Sequence, residues 1–314
     1  MITHRRSSSL LAARYRLALL AVAAAALLGA RGDDTNRSES EMPNVSQSQP
    51  SAATRHRTVN AAGTTFAVDV RGAGPPALVI HGGAEDAAML APLAERLAAD
   101  GHRVITYDRR GTGGSGRDAW PGSGARQHAD DAAALLRALH AEGAEVLGLS
   151  SGGVIALDLA VRHPTVVGRT FVWEAPAVGV LPAGEALNAR IMAPIERHLA
   201  AHPGDYVGAQ AILLSAILGS RVTVDDPRFA AARANAEPMI RDEPKITLGT
   251  FSARELADLD VTIGVGTAPN EIVAAAARRL GQLTGRRPLV VPTDDHEVYL
   301  SDPRVLADVL RDER

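Results

Sequence analysis

Val146-Leu147-Gly148-Leu149-Ser150-Ser151-Gly152-Gly153-Val154 runs from an apolar stretch into a Gly-rich corner. Val154-Ile155-Ala156-Leu157-Asp158-Leu159-Ala160 follows at once as an apolar helix former. Gly148-x-Ser150-x-Gly152 has the spacing of a nucleophile elbow, a sharp strand-to-helix turn. Such a turn forces its central residue into a strained backbone conformation. Only small residues two before and two after it let the neighbouring chains pass. Ser150 would then stand above a sheet, with the Ser151 N–H and the following helix N-terminus aimed at developing negative charge. Five residues of this kind occur by chance in Gly-rich chains. The reading stands only if the chain also supplies a base, an acid and a second oxyanion donor.

Outward from the elbow, short apolar runs alternate with helix-length segments. Residues 64–70 alternate as a strand does, and Gly72-Ala73-Gly74-Pro75-Pro76 is a turn. Ala77-Leu78-Val79-Ile80 reads as a buried strand, followed by His81-Gly82-Gly83 and a helix over about 85–99. Val104-Ile105-Thr106-Tyr107 is a strand that ends in Asp108-Arg109-Arg110-Gly111-Thr112-Gly113-Gly114-Ser115. A helix is predicted over 126–141, and Thr170-Phe171-Val172-Trp173 is a strand closing on Glu174. Residues 182–252 carry a helical pattern without a strong strand. Strands at 261–265 and 288–291 flank a helix over 272–283, and a last helix runs from 298 to 310. Buried strands alternating with helices imply an α/β fold with a doubly wound, mostly parallel eight-stranded sheet covered on both faces. No internal repeat is present.

With these motifs in place, residues 57–312 resemble the α/β-hydrolase superfamily. The resemblance rests on four elements in order: His81-Gly82-Gly83 after the third strand, Asp108-x-Arg110-Gly-x-Gly-x-Ser115 after the fourth, Gly148-x-Ser150-x-Gly152 after the fifth, and His296 after the eighth. It implies a domain over 57–314, with a helical cap of about 177–252 inserted after strand six. It also implies that Gly83 supplies the second oxyanion N–H beside that of Ser151. His296 stands in the polar loop Pro292-Thr293-Asp294-Asp295-His296-Glu297, able to reach Ser150 as the base that a serine hydroxyl needs.

The acid is the open position. A base of this kind is held in one tautomer by a buried carboxylate, and the resembling proteins usually place it just after the seventh strand. Gly266-Thr267-Ala268-Pro269-Asn270 contains no Asp or Glu there. Glu174, at the end of the sixth strand, is the preferred candidate, because a carboxylate at a buried strand end is costly unless paired. Glu271 is the second, although it opens a helix, where an exposed Glu is favoured by the dipole. A site with no true acid is the third.

Other motifs carry plainer readings. Gly111-x-Gly113-x-x-Gly116 matches a dinucleotide fingerprint, but Trp120-Pro121-Gly122 prevents a helix from opening where a pyrophosphate would need one. His198 and His202 share a helix face without an acidic third ligand, so no metal is expected. His163 before Pro164 reads as the end of the elbow helix, and His102, His128 and His140 sit in surface-like contexts. Leu187, Ile191, Ile195, Ile212, Leu213, Ile217 and Leu218 are candidates to line an acyl or alkyl pocket, or to be plain cap core.

The 314-residue chain carries a net charge of −3 and no cysteine. That balance argues against nucleic acid or an anionic membrane as the main partner. It also excludes disulfides, thiol nucleophiles and Cys-based metal sites. Lys245 is the only lysine, which leaves little room for Schiff-base or Walker-type chemistry. Arg5, Arg6, Arg14 and Arg16 precede an apolar run over 17–28, so residues 1–30 read as a signal-like segment and imply export from a bacterial cell. Arg31 stands where a lipidated cysteine would have to be. Residues 31–56 read as a disordered linker. The expectation is a serine hydrolase without cofactor, acting on a small molecule, with small carboxylic esters or lactones foremost. A prolyl-type aminopeptidase would be marked by a negatively charged cap pocket for the substrate amine. A hydrolase-like protein that only binds a ligand is the third possibility, and the oligomeric state is not legible.

Overall fold

In the computed structural model the described residues are 54–312. The signal-like segment and nearly all of the linker lie outside them. Eight strands form one sheet in the order β1-β2-β4-β3-β5-β6-β7-β8. β1 (Arg55–Ala61) and β2 (Thr64–Arg71) form an antiparallel ribbon, and β2 pairs antiparallel with β4 (Arg103–Tyr107). β3 (Pro76–Ile80), β5 (Ala144–Leu149), β6 (Val167–Trp173), β7 (Val261–Val265) and β8 (Leu289–Val290) complete the sheet with parallel pairings. β1 begins at Arg55, inside the stretch assigned to the linker.

The sheet is covered on both faces because its strands are apolar on both. Leu78 and Ile80 of β3, Val146 of β5 and Val172 of β6 face a core that includes α2 (Ala125–Ala138), α3 (Ser151–Arg162) and α9 (Glu271–Thr284). Val79, Leu147, Leu149, Phe171 and Trp173 point the other way, onto α1 (Ala91–Ala99), α10 (Val298–Ser301) and α11 (Arg304–Asp312). Alternate residues of one strand thus fill two cores, as the period of two requires.

Between β6 and β7 the chain is helical: α4 (Gly184–Ala201), α5 (Tyr206–Leu218), α6 (Ala236–Arg241), α7 (Glu243–Thr247) and α8 (Ala253–Leu256). Their own cluster of Ile195, Ala209, Leu213, Met239 and Ile240 packs on Ala84, just past the His81-Gly82-Gly83 turn. Of the pocket candidates, Ile195 and Leu213 are therefore cap core, while Ile217 and Leu218 are 42% and 46% exposed. Among the described residues no helix is long and apolar enough to cross a membrane.

Three local expectations are corrected. The helix expected from about residue 85 starts at Ala91, because Glu85, Asp86 and Ala87 are spent on other bonds: Glu85 on Gly82 N–H, Asp86 on Met89 N–H, Ala87 N–H on Asp108. The last helix is two, α10 and α11, divided at Asp302-Pro303, where proline disfavours helix in the residue before it. His102 and His128 are buried rather than superficial.

Candidate active site

Ser150 occupies the corner between β5 and α3 with φ 49° and ψ −124°, a conformation a non-glycine residue adopts only under constraint. The constraint is steric and hydrogen-bonded. A Cβ on Gly148 would stand 2.6 Å from the Gly152 carbonyl oxygen, and one on Gly152 would stand 2.2 Å from that of Ile80. Ser150 N–H donates to the Trp173 carbonyl at 2.9 Å, and its own carbonyl accepts Gly153 N–H at 2.9 Å. Small residues at the two flanking positions are what let the chain turn here.

His296 arrives on the loop between β8 and α10. Its Nε2 lies 3.1 Å from Ser150 Oγ and its Nδ1 2.6 Å from Glu174 Oε2. The buried Trp173 indole donates to the His296 carbonyl at 2.8 Å, so the strand that ends in Glu174 also anchors the histidine loop. Asp295 steadies the far side by accepting Glu297 N–H at 2.9 Å.

Glu174 is 4% exposed and follows β6 at φ 43°. Its second oxygen accepts Gly266 N–H at 2.9 Å. Gly266 opens the stretch after β7, residues 266–270, near which the resembling proteins usually keep the acid. A Cβ there would meet the Thr293 carbonyl oxygen at 2.7 Å and Glu174 Oε1 at 3.0 Å. Gly266 therefore supports the Glu174 carboxylate with its backbone and has no room for a side chain of its own. Glu271 lies apart, exposed in the first turn of α9, whose N-cap is Asn270.

Burial pushes the His296 imidazole down, but the Glu174 hydrogen bond and charge, with smaller help from Glu297 and Glu85, leave it above its ordinary value. As a base it must be neutral, so the raised value moves its working range upward in pH.

Gly82 N–H is taken by Glu85 Oε2 at 2.9 Å, whereas Gly83 N–H meets no acceptor among the described residues. Ser151 N–H, first in α3, has no acceptor within the helix. Those are the two donors anticipated for an oxyanion. His81 holds their turn: its Nε2 accepts Arg109 N–H at 3.2 Å, which leaves Nδ1–H to donate to the Gly82 carbonyl at 2.8 Å. Burial first, then the Arg109 charge, keep its pKa well below the ordinary value, so it is a neutral staple.

The Asp108 to Ser115 loop is tied into the surrounding scaffold through its side chains. Asp108 accepts Ala87 and Gly114 N–H at 2.8 and 2.7 Å, and Arg110 grips Asp131 of α2 with two bonds of 2.8 and 2.6 Å. His198 pairs with Asp205 at 2.8 Å on the cap, and His163 ends α3 and meets Asp130 at 2.7 Å.

Sequence reasoning missed the charges under the cap. Arg109, 1% exposed, pairs with Glu243 of α7, 7% exposed, at 2.5 Å, and approaches Ser151 Oγ at 3.5 Å. Beside it Asp242 joins His128 at 2.6 Å and the Trp120 indole at 3.1 Å. The Asp108-Arg109-Arg110 run just past a buried strand was the one available signal. Breaking this pair strands a buried guanidinium. Glu243→Ala should lower unfolding free energy by about 3–5 kcal/mol in urea titration, while Arg109→Met with Glu243→Leu should cost far less. Equal losses would mean that the charge pair is not what holds the cap here.

Residues 77–290 match the family model described as serine aminopeptidase, S33. The uncharacterized hydrolase YraK of Bacillus subtilis is 41% identical over 111 residues, covering 35% of this chain and 41% of its own. The 2-(acetamidomethylene)succinate hydrolase of Mesorhizobium japonicum is 29% identical over 265 residues, 79% of this chain and 91% of its own. YraK and the putative carbamate hydrolase RutD of Azorhizobium caulinodans are matched over only 41% and 53% of their own length. Among solved structures, an α/β hydrolase from Sphaerobacter thermophilus superposes with TM-score 0.64 at 27% identity, covering 82% of this chain and 99% of that one.

Proposed function

This chain belongs to the serine aminopeptidase S33 family of α/β hydrolases, and we propose that it is a serine hydrolase acting through an acyl-enzyme on small carboxylic esters or lactones. The observation that carries the reading is the unbroken line from Glu174 through both nitrogens of His296 to Ser150. In the proposed cycle Ser150 Oγ attacks the carbonyl carbon while His296 Nε2 takes its proton. Gly83 and Ser151 N–H hold the oxyanion, which collapses as His296 returns the proton to the leaving alkoxide. Water then attacks the acyl carbon while giving a proton to the same nitrogen, and the second oxyanion collapses by breaking the bond to Ser150 Oγ, which takes that proton back from His296 as the acid leaves. Glu174 keeps Nδ1–H in place and balances the imidazolium.

One feature supports esters over an aminopeptidase reading. The cap acid nearest the oxyanion turn is Glu243: a Cβ on Gly83 would lie 3.0 Å from its Cδ. Its charge is already matched by Arg109, so it offers no free anion for a substrate ammonium. The pairing of His296 with Glu174 at the end of β6 favours turnover over ligand binding alone.

The test is turnover of short-chain p-nitrophenyl esters against proline p-nitroanilide across pH. Ester hydrolysis should dominate, and the ascending limb of its kcat/KM profile should lie to the alkaline side of an ordinary imidazole, the direction in which Glu174 moves His296. Preferential cleavage of the anilide would transfer the reading to the aminopeptidase. An absence of turnover on both, with saturable binding, would transfer it to the ligand binder.

A further inference from the structure

Glu85 has no part in the triad, yet its side chain lies where three pieces of the site meet. It is buried. Oε2 accepts Gly82 N–H at 2.9 Å, and Oε1 accepts the hydroxyl of Tyr299, on α10, at 2.6 Å. Its main-chain carbonyl accepts the amide of Asn235 from the cap at 3.2 Å, while Asn235 Oδ1 accepts Gly113 N–H at 3.1 Å. A Cβ on Gly82 would stand 3.0 Å from Ser150 Cβ and 3.1 Å from Glu85 Oε1, so the carboxyl and the serine both pack against the Gly82 backbone. A buried carboxyl is expensive unless its bonds do something an apolar side chain could not. Here one oxygen consumes the Gly82 N–H, which leaves the next donor, Gly83, as the one turned to the reacting carbonyl.

We propose that Glu85 is a positioning residue for the hydrolytic reaction: its carboxyl holds the Gly82-Gly83 turn in its oxyanion-binding form and ties that turn, through Tyr299, to the His296 loop. The inference rests on the serine-hydrolase reading above.

The charge state of this carboxyl gives the role a signature. Tyr299 faces it from α10, His296 and Glu297 from the preceding loop, and Gly82 N–H from its own turn. From the cap comes the uncharged Asn235. Burial pushes it up to about 7, Glu297 pushes the same way, and Tyr299, Gly82 and His296 pull down. Below that value the group is neutral and spares the forming oxyanion a like charge. Above it the carboxylate opposes the oxyanion, so the rate falls as pH rises through about 7.

The experiment is p-nitrophenyl acetate hydrolysis by the full chain over pH 5.5–9, with circular dichroism of each variant. Glu85→Ala should lose about 100-fold in kcat with KM nearly kept, the mark of an interaction made in the transition state. Glu85→Gln, neutral at every pH, should restore most of kcat at pH 6 and abolish the alkaline fall. Its ascending limb should move down, because Glu85 no longer helps raise His296. Tyr299→Phe should lower kcat about 10-fold and move the alkaline fall upward, since Tyr299 holds the Glu85 pKa down. A folded Glu85→Ala with wild-type kcat, or a Gln variant as poor as Ala with the alkaline fall intact, would overturn the proposal. Should Ala not fold, the Gln and Phe pH profiles decide it alone. If wild type turns over no ester, the hydrolase reading fails separately, and amide exchange decides the role of Glu85 in the turn. Gly82 N–H protected in wild type and Gln but not in Ala supports it, and equal protection overturns it.

Discussion

Ser150→Ala is expected to lose the covalent fluorophosphonate adduct seen by intact mass in wild type, and to lower kcat about 10⁶-fold with the fold unchanged. The size follows from what remains. Without an oxygen to form the acyl-enzyme, the Gly83 and Ser151 donors and the binding surfaces can still favour attack by water. In hydrolases of this mechanism they retain about 10³–10⁴ over the uncatalysed reaction. His296→Ala should cost nearly as much, because the hydroxyl would keep its proton at neutral pH. The double variant should be hardly worse than either single one, since base and nucleophile act as one unit. The fold should tolerate the first change, because the elbow is held by Ser150 N–H and C=O and by the glycines around it, not by its hydroxyl. An adduct that persists in Ser150→Ala, or unchanged turnover, would show that the chemistry lies elsewhere.

What was legible beforehand was what physics ties to local pattern. The elbow could be read because Gly148 and Gly152 are sterically compelled, and the close contacts at both positions are the compulsion itself. The sheet could be read because β3, β5 and β6 are apolar on both faces, and they feed two separate cores. Glu174 was nameable from the cost of burying an unpaired carboxylate at a strand end. What escaped was polar matching across long sequence separations. Arg109 and Glu243 are 134 residues apart, His128 and Asp242 are 114 apart, and Glu85 and Tyr299 are 214 apart. No period or neighbour marks such pairs, because each side chain looks like ordinary surface until the fold buries it. The late start of α1 has the same origin. Glu85 and Asp86 look like a helix N-terminus, where acids are favoured, but tertiary partners claim them first.

Glu174→Gln is the second large effect, expected at about 10⁴-fold in kcat with little change in stability or KM. A glutamine keeps the shape but can present an N–H where Glu174 now presents only lone pairs. Facing that N–H, His296 would turn Nδ1 into an acceptor and carry its proton on Nε2, the nitrogen that has to receive the serine proton. The imidazolium formed in the transition state would also lose its countercharge. The pH profile separates this from simple loosening of the site. Glu174 is the strongest upward influence on His296, so in the Gln variant the residual rate should titrate at a lower pH than in wild type. Glu271→Gln is the control: exposed at the start of α9, it should change kcat less than about 2-fold, as surface substitutions away from a site do. If the two variants exchanged behaviour, the acid would belong to the end of β7 after all, and the Gly266 N–H bond to Glu174 would be scaffolding only. If neither changed the rate, Ser150 and His296 would be working as a dyad, and the carboxylate line through β6 would be a feature of the fold rather than of the reaction.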